Sequence, residues 1–306
     1  MYSMDNIALA HKNARKGKSH YAEVKKVNNN SNKYFTEIHN MLKDRTFKNS
    51  EYEMFIKMDG GKDREIFKLP YFPDRIIQHC IMNVLEQLWV KTLIKDTYSS
   101  LKNRGIHKGL RRIRKALIDK ENTEYCLKID IKKFYPSIDH DILKQIIRKK
   151  IKDKNVLWLL DEIINSVSGI PIGNYLSQYF GNLYLSELDH WAKEQKRCKY
   201  YFRYCDDIVI LHSDKKHLSN LRKEISEYLK TELNLKLKSN WQIFPTNVRG
   251  IDFMGYRFFH NYILVRKSIV KNFKRKMKKA KSIEAIASYN GWFLWANTYN
   301  LKEKYL

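Results

Sequence analysis

Cysteine is scarce in this chain, four residues in 306. Cys80, Cys126, Cys198 and Cys205 stand at spacings that match no zinc-ligand pattern, so they read as ordinary reduced thiols of a cytosolic protein. Long apolar runs are missing as well. No stretch approaches the roughly 20 apolar residues that a membrane helix needs, so no membrane span is expected. The N-terminus, MYSMDNIALAHKNARKGKSH, lacks the apolar core of a signal peptide and is charged early. An intracellular, cytoplasmic protein is expected from it. No internal repeat or low-complexity tract is present. Acids are the other shortage: 33 Asp and Glu face 59 Lys and Arg, a net charge of +26 with a pI near 9.7. Such an imbalance says nothing about fold, but clustered as it is, it points to a polyanionic partner.

What is present supports a packed globular protein. Apolar residues make up 43% and aromatics 13%, enough for one large domain or two or three subdomains around a shared core. Residues 1–50 read as two helices, MDNIALAHKNARKG and YFTEIHNMLKD, separated by the polar linker 28–32. Residues 51–70 form β-rich arms around Asp59-Gly60-Gly61-Lys62, a hairpin signal. Ile76, Ile77, Cys80, Ile81, Val84, Leu85 and Leu88 recur at helical spacing over about 75–91. LKNRGIHKGLRRIRKALIDK (101–120) holds eight basic residues and one acid, a solvated face or an RNA-facing surface. Then come a strand, YCLKIDI, ending on Asp130, helices near 139–152, 155–166 and 174–195, and a hairpin, KYYFRYCDDIVILHS. A helix from about 215 to 233, short strands after Asn240 and the basic segment RKSIVKNFKRKMKKAK (266–281) complete the chain. This order predicts an α+β sheet covered by helices on one face.

The adjacent acids Asp206 and Asp207 sit between two strand-forming runs. Side chains alternate along a strand, so a flat strand would aim them apart, whereas a tight turn presents both at a hairpin tip. Alone, such a pair is most often an exposed turn. Asp130 changes the weighting, because it ends a second strand that can lie beside that tip. Three carboxylates from two neighbouring strands suit a pair of Mg²⁺ ions, hard cations that prefer oxygen ligands, arranged for in-line phosphoryl transfer. One ion would activate the attacking 3′-hydroxyl and the other would hold the triphosphate.

KIDIKKFYPSIDH, GIPIGNYLSQYFGNLYLSELD, RYCDDIVIL and GIDFMGYRFF, in that order and separation, resemble the successive palm motifs of reverse transcriptases across roughly residues 60–260. LPYFPDRIIQHCIMNVLE resembles the fingers segment of the prokaryotic members. The nearest likeness is to the enzymes of diversity-generating retroelements, in which a branched aliphatic residue precedes Gly-x-x-x-Ser-Gln; here it is Ile172, followed by Gly173 through Gln178. The tail SYNGWFLWANTYNLKEKYL resembles that group's short thumb, and no intron-type maturase or endonuclease extension is expected.

The resemblance implies a right-hand polymerase of fingers, palm and thumb, with an antiparallel palm sheet covered by helices. An N-terminal extension and fingers would occupy 1–124, the palm 125–260 with fingers helices around 140–170, and a short basic helical thumb 261–306. Asp130, Asp206 and Asp207 match the catalytic, metal-holding aspartates, with Ile131 counted among the metal-side positions and Mn²⁺ able to replace Mg²⁺. Tyr135 matches the aromatic gate beneath the incoming sugar that rejects a 2′-hydroxyl. Ile172 and Gly173, with Gln178 in the same signature, match the positions packed against the nascent base pair. An aliphatic residue at 172 removes hydrogen bonds that glutamine would supply, which in this group accompanies misincorporation opposite template adenines.

Lys62, Arg64 and Arg75 lie where the family contacts the triphosphate, although hairpin charges are also commonly just solvated. Phe253, Met254, Gly255 and Tyr256 match the primer grip or, equally simply, a core strand pair. Lys271, Lys274, Arg275 and Lys278 would track the duplex by phosphate contacts. His107, His140 and His212 are spaced unlike metal ligands. The implied partners are an RNA template, a DNA or RNA primer, deoxynucleotides and a small basic oligomeric accessory protein. Two alternatives stay open: an antiviral-defence reverse transcriptase that makes DNA from a noncoding RNA, and a non-catalytic RNA-binding protein. Three converging charges that a pure binder does not need argue against the last.

Overall fold

A computed structural model describes residues 1–59, 61–279 and 282–305, with Asp59 and Lys62 given by backbone alone. Elements are numbered along the chain. The polypeptide forms two compact units, each assembled from three stretches: Met1–Lys95, Lys132–His190 and Tyr228–Lys236 in the first, Asp96–Ile131, Trp191–Glu227 and Leu237–Leu306 in the second.

The first unit opens with α1 (Met4–Ala14), α2 (Ala22–Asn29) and α3 (Ser31–Lys43). The expected polar linker at 28–32 is therefore a helix junction, with only Asn30 between two helices. Val24 and Val27 are buried, and Asn28 accepts hydrogen bonds from Arg15 and pairs with His11, so tertiary contacts hold a segment whose asparagines alone would suggest a loop. β1 (Glu53–Asp59) and β2 (Lys62–Lys68) form the expected hairpin, in register from Glu53–Lys68 to Asp59–Lys62; Gly60 at its tip lies outside the described residues. Two helices of this unit are buried along most of their length. α4 (Ile76–Thr92) buries Ile76 to Met82 almost without interruption, and α8 (Ser177–His190) buries Tyr179 to Ser186; Trp89 of α4 meets Phe180 of α8 at 5.9 Å between ring centroids. α6 (His140–Arg148) and α7 (Lys154–Ile164) join them, each started by an aspartate cap, Asp139 and Asp153, that accepts two backbone N–H bonds.

The second unit is built on a four-stranded antiparallel sheet of order β4-β5-β3-β6: β3 (Tyr125–Asp130), β4 (Tyr200–Tyr204), β5 (Asp207–His212) and β6 (Gln242–Pro245). A three-stranded sheet, β7 (Ile251–Phe253), β8 (Tyr256–Phe258) and β9 (Ile263–Val265), lies in the same unit. One core cluster gathers Phe202, Val209 and Leu211 of the first sheet, Phe253, Tyr256 and Phe258 of the second, Leu110 and Ile113 of α5 (Ile106–Ala116), and Phe273 and Met277 of α11 (Lys267–Lys279). α9 (Lys215–Leu233) starts in this unit and ends in the first; the four-residue α10 (Thr246–Arg249) and the C-terminal α12 (Ile283–Phe293) and α13 (Tyr299–Tyr305) complete the elements. The basic segment expected at 266–281 is helical from Lys267 to Lys279, and Ala280 and Lys281 lie outside the described residues. No helix among the described residues is long and apolar enough to cross a membrane.

Candidate active site

The three aspartates lie in the second unit. In the register of β3 on β5, Asp130 stands directly opposite Asp207, so the two side chains share one face of the sheet, with Cβ atoms about 5 Å apart for such a pair. Tyr204 pairs with Asp207, which leaves Cys205 and Asp206 as a two-residue turn. Cys205 has φ +57°, the left-handed value that the first central residue of a primed hairpin turn requires. Burial raises the Asp206 carboxyl above its ordinary range, and the neighbouring Asp130 carboxylate raises it further. Asp207 is pushed up to about 6, again mainly by burial, with Lys128 opposing the shift.

Two lysines balance this charge. Lys128 lies 3.3 Å from Asp207 Oδ2 and also donates to the Asp252 carbonyl; Lys238 donates to Asp130 Oδ1 at 2.6 Å. Asp207 Oδ1 is buried and has no hydrogen-bond partner. Among the described residues no three His, Cys, Asp or Glu side chains form a ready metal cage. The donor set nevertheless fits a divalent cation, since a buried, unpartnered carboxylate oxygen beside a second carboxylate is the arrangement such an ion satisfies. Ile131 is buried and bridged to Leu237. A cavity of about 470 Å³ opens beside Asp130 and Asp207, lined also by Lys128, Arg249, Arg257 and Arg266.

The candidates on the nucleotide side lie in the first unit. Tyr135 begins a 3₁₀ turn, and its carbonyl accepts from Ile170 N at 2.9 Å. A Cβ at Gly181 would stand 3.1 Å from the Tyr135 ring, so α8 and this turn approach closely. The Ile172 carbonyl accepts from Phe67 N at 2.8 Å, and Gly173, at φ +122°, lets the β2 backbone approach. Gln178 is exposed at the start of α8, and Arg64 is exposed on β2. The Lys62 side chain lies outside the described part. Arg75 is half-buried and donates to the Ala14 carbonyl at 3.3 Å, and burial lowers its pKa. It lines a cavity of about 550 Å³ with Tyr21, Phe67, Tyr71, Gly173 and Tyr175, to which Arg64 does not contribute.

The GIDFMGYRFF stretch forms β7, a tight turn and β8. Phe253, Met254 and Tyr256 are buried in the core, and Met254 (φ +49°) and Gly255 (φ +84°) make the turn. These side chains are a core strand pair, and the turn is buried with them: Trp292 packs against Gly255, whose carbonyl accepts from Arg266 N at 2.9 Å. On α11, Lys271, Arg275 and Lys278 are exposed, and Lys274 lies over the Tyr305 ring at 5.4 Å. His107 stacks on Trp295, His140 pairs with the Gly169 carbonyl, and His212 stacks on His217, which accounts for three histidines structurally. Sequence reasoning passed over Lys128 and Lys238. Lys128 was within reach of it, two residues before Asp130 and on the same strand face; Lys238 carries no such signal.

The model of the reverse transcriptase (RNA-dependent DNA polymerase) family matches residues 48–258. The chain belongs to the reverse transcriptase family. Among curated relatives of this family member, protein YkfC of Escherichia coli is 22% identical over 67% of the chain and 65% of its own length. The group II intron-encoded protein LtrA of Lactococcus lactis is 24% identical over 63% of the chain and 34% of its own length. The retron Ec73 reverse transcriptase of Escherichia coli is 31% identical over 50% of the chain and 52% of its own length. The chain thus spans from a third to two thirds of these relatives. Solved telomerases share the fold: the apo enzyme of Candida tropicalis (TM-score 0.53, 13% identity, 72% of this chain and 49% of that one) and the Candida albicans enzyme with a telomeric RNA fragment (0.55, 11%, 76% and 51%). Mixed helices with antiparallel sheets are thus the reverse transcriptase fold, the right-hand polymerase class expected from the motifs.

Proposed function

We propose that this chain is an RNA-directed DNA polymerase that copies a dedicated RNA template into cDNA, with the low fidelity of the diversity-generating type. The observation that supports it most is the register that sets Asp130 opposite Asp207, with Asp206 in the adjoining turn and one carboxylate oxygen buried without a partner. In this reading Asp130, Asp206 and Asp207, with Ile131 beside them, hold two Mg²⁺ or Mn²⁺ ions. Ions held there supply activation of the primer 3′-hydroxyl and neutralisation of the departing pyrophosphate. Lys128 opposes the upward shift of the Asp207 carboxyl, and Lys238 places a positive charge beside Asp130. Tyr135 bars the 2′-hydroxyl of a ribonucleotide, and Lys62, Arg64 and Arg75 attract the deoxynucleotide triphosphate. α11 follows the duplex. A small basic oligomeric accessory protein and a cytoplasmic setting complete the proposal.

Primer extension on poly(rA)/oligo(dT) with Mg²⁺ or Mn²⁺ tests the chemistry. Wild type should extend, and the Asp206→Asn, Asp207→Asn variant should lose at least about a hundredfold of that activity; equal extension by both would refute it. The error-prone part rests on Ile172. Ile172→Gln keeps the backbone bond to Phe67 and restores a hydrogen-bonding side chain, so sequenced products should carry fewer errors opposite template adenine. An unchanged error spectrum removes that part alone. The likeness to a retron reverse transcriptase across half of each chain supports the polymerase chemistry alone; a second reading in the same enzyme class is a defence reverse transcriptase making DNA from a noncoding RNA. Neighbouring genes separate the two: a template and variable repeat pair, or a defence cluster.

A further inference from the structure

We propose that Arg203 is the positioning residue of the turn that carries Asp206, acting from the sheet face opposite Asp130 and Asp207. The inference rests on the metal reading above and adds a residue to it. Strand alternation puts Tyr204 and Phe202 on the face shared with Asp207, and Arg203 with Ile208 on the other. Arg203 is fully buried, and its Nη1 donates to the Cys205 carbonyl at 3.0 Å. A guanidinium withdrawn from water is costly unless its donors are used, and here one of them is spent on the turn itself.

The turn needs holding. Cys205 sits at φ +57°, a region where a residue with a Cβ is strained and where glycine is the usual occupant. A donor on the Cys205 carbonyl fixes the peptide plane between Cys205 and Asp206, and that plane aims the Asp206 carboxylate. Arg203 is itself anchored at both backbone atoms: its N donates to the Asp96 carbonyl at 2.9 Å, and its carbonyl accepts from Tyr98 N at 3.0 Å. Asp96 is fixed in turn by a two-bond pair with Arg112 (2.9 and 3.1 Å) and by the Tyr98 hydroxyl at 2.6 Å. A continuous set of contacts thus runs from α5 through the buried guanidinium to the acid-bearing turn.

The test is a mutant cycle read first by Mn²⁺ calorimetry on nucleic-acid-free protein and second by primer extension. Arg203→Met should weaken Mn²⁺ binding by about tenfold, the scale set by strain of this kind at one residue. It should raise the half-saturating Mg²⁺ in parallel and leave the deoxynucleotide KM within about twofold. Cys205→Gly in the same background should recover most of the metal binding, because glycine holds the positive φ without help. If Arg203→Met does not fold, Arg203→Lys, which keeps the buried charge with a shorter reach, runs the same cycle with a loss of about threefold and the same glycine rescue. Metal binding indifferent to Arg203, or a loss that Cys205→Gly does not relieve, overturns the proposal while wild-type extension leaves the polymerase reading standing. Wild-type protein that binds no Mn²⁺ overturns the proposal, and if it also fails to extend a primer it overturns both.

Discussion

At the residue scale, the sequence discloses charge and backbone freedom better than it discloses partners. Adjacent acids between strand-forming runs, with a third acid closing another strand, were enough to name Asp130, Asp206 and Asp207. Lys238 was beyond reach, because its ion pair depends on the segment after α9 running beside β3, a contact made through the Ile131–Leu237 bridge. Gly173 shows the opposite case. Its place in a Gly-x-x-x-Ser-Gln motif suggested room for a base pair, yet the atom that limits it is the Phe67 carbonyl, 2.5 Å from where a Cβ would sit. Gly173→Ala combines that overlap with φ +122° and should destabilise the protein by about 2 kcal/mol or more, seen as a lower urea midpoint. An unshifted midpoint would mean that the β2 backbone yields freely.

At the element scale, the long periodic helices were legible, since α4 and α9 follow apolar spacing that a tertiary core then buries. α2 was not. Its only apolar anchors are Val24 and Val27, and the asparagines after them mimic a linker until His11 and Arg15 supply partners for Asn28. The hairpin of β7 and β8 was ambiguous for a different reason: a core strand pair and a ligand-facing turn use the same residues, and only burial separates them. α11 is plainer. Phe273 and Met277 bury one stripe, and Lys271, Arg275 and Lys278 are left in solvent. Replacing these three by glutamine should flatten the dependence of log affinity for a primer–template duplex on log salt by about two to three units. A slope that stays at the wild-type value places the duplex elsewhere.

At the scale of the whole molecule, a net charge of +26 predicts polyanion binding but leaves the fold unspecified, and the fold came from motif order and strand register instead. Part of the pH dependence of stability can nevertheless be traced to one group that carries no signal in the sequence. His79 is buried on α4, stacks on Tyr175 at 4.2 Å, and leaves Nε2 without a partner. Burial, helped by the nearby charges of Arg75 and Lys16, lowers its pKa from 6.5 to about 4. Between those values the unfolded chain takes up a proton that the folded chain refuses, so stability is complete above pH 6.5 and falls as the pH drops toward 4. From pH 7 to pH 5 the loss attributable to His79 should be about 2 kcal/mol. His79→Phe keeps a ring against Tyr175 and has nothing to protonate, so its unfolding free energy should lose about that much less than wild type over the same interval. Parallel pH profiles for the two proteins would show that water reaches His79 and that its imidazole titrates alike in both states.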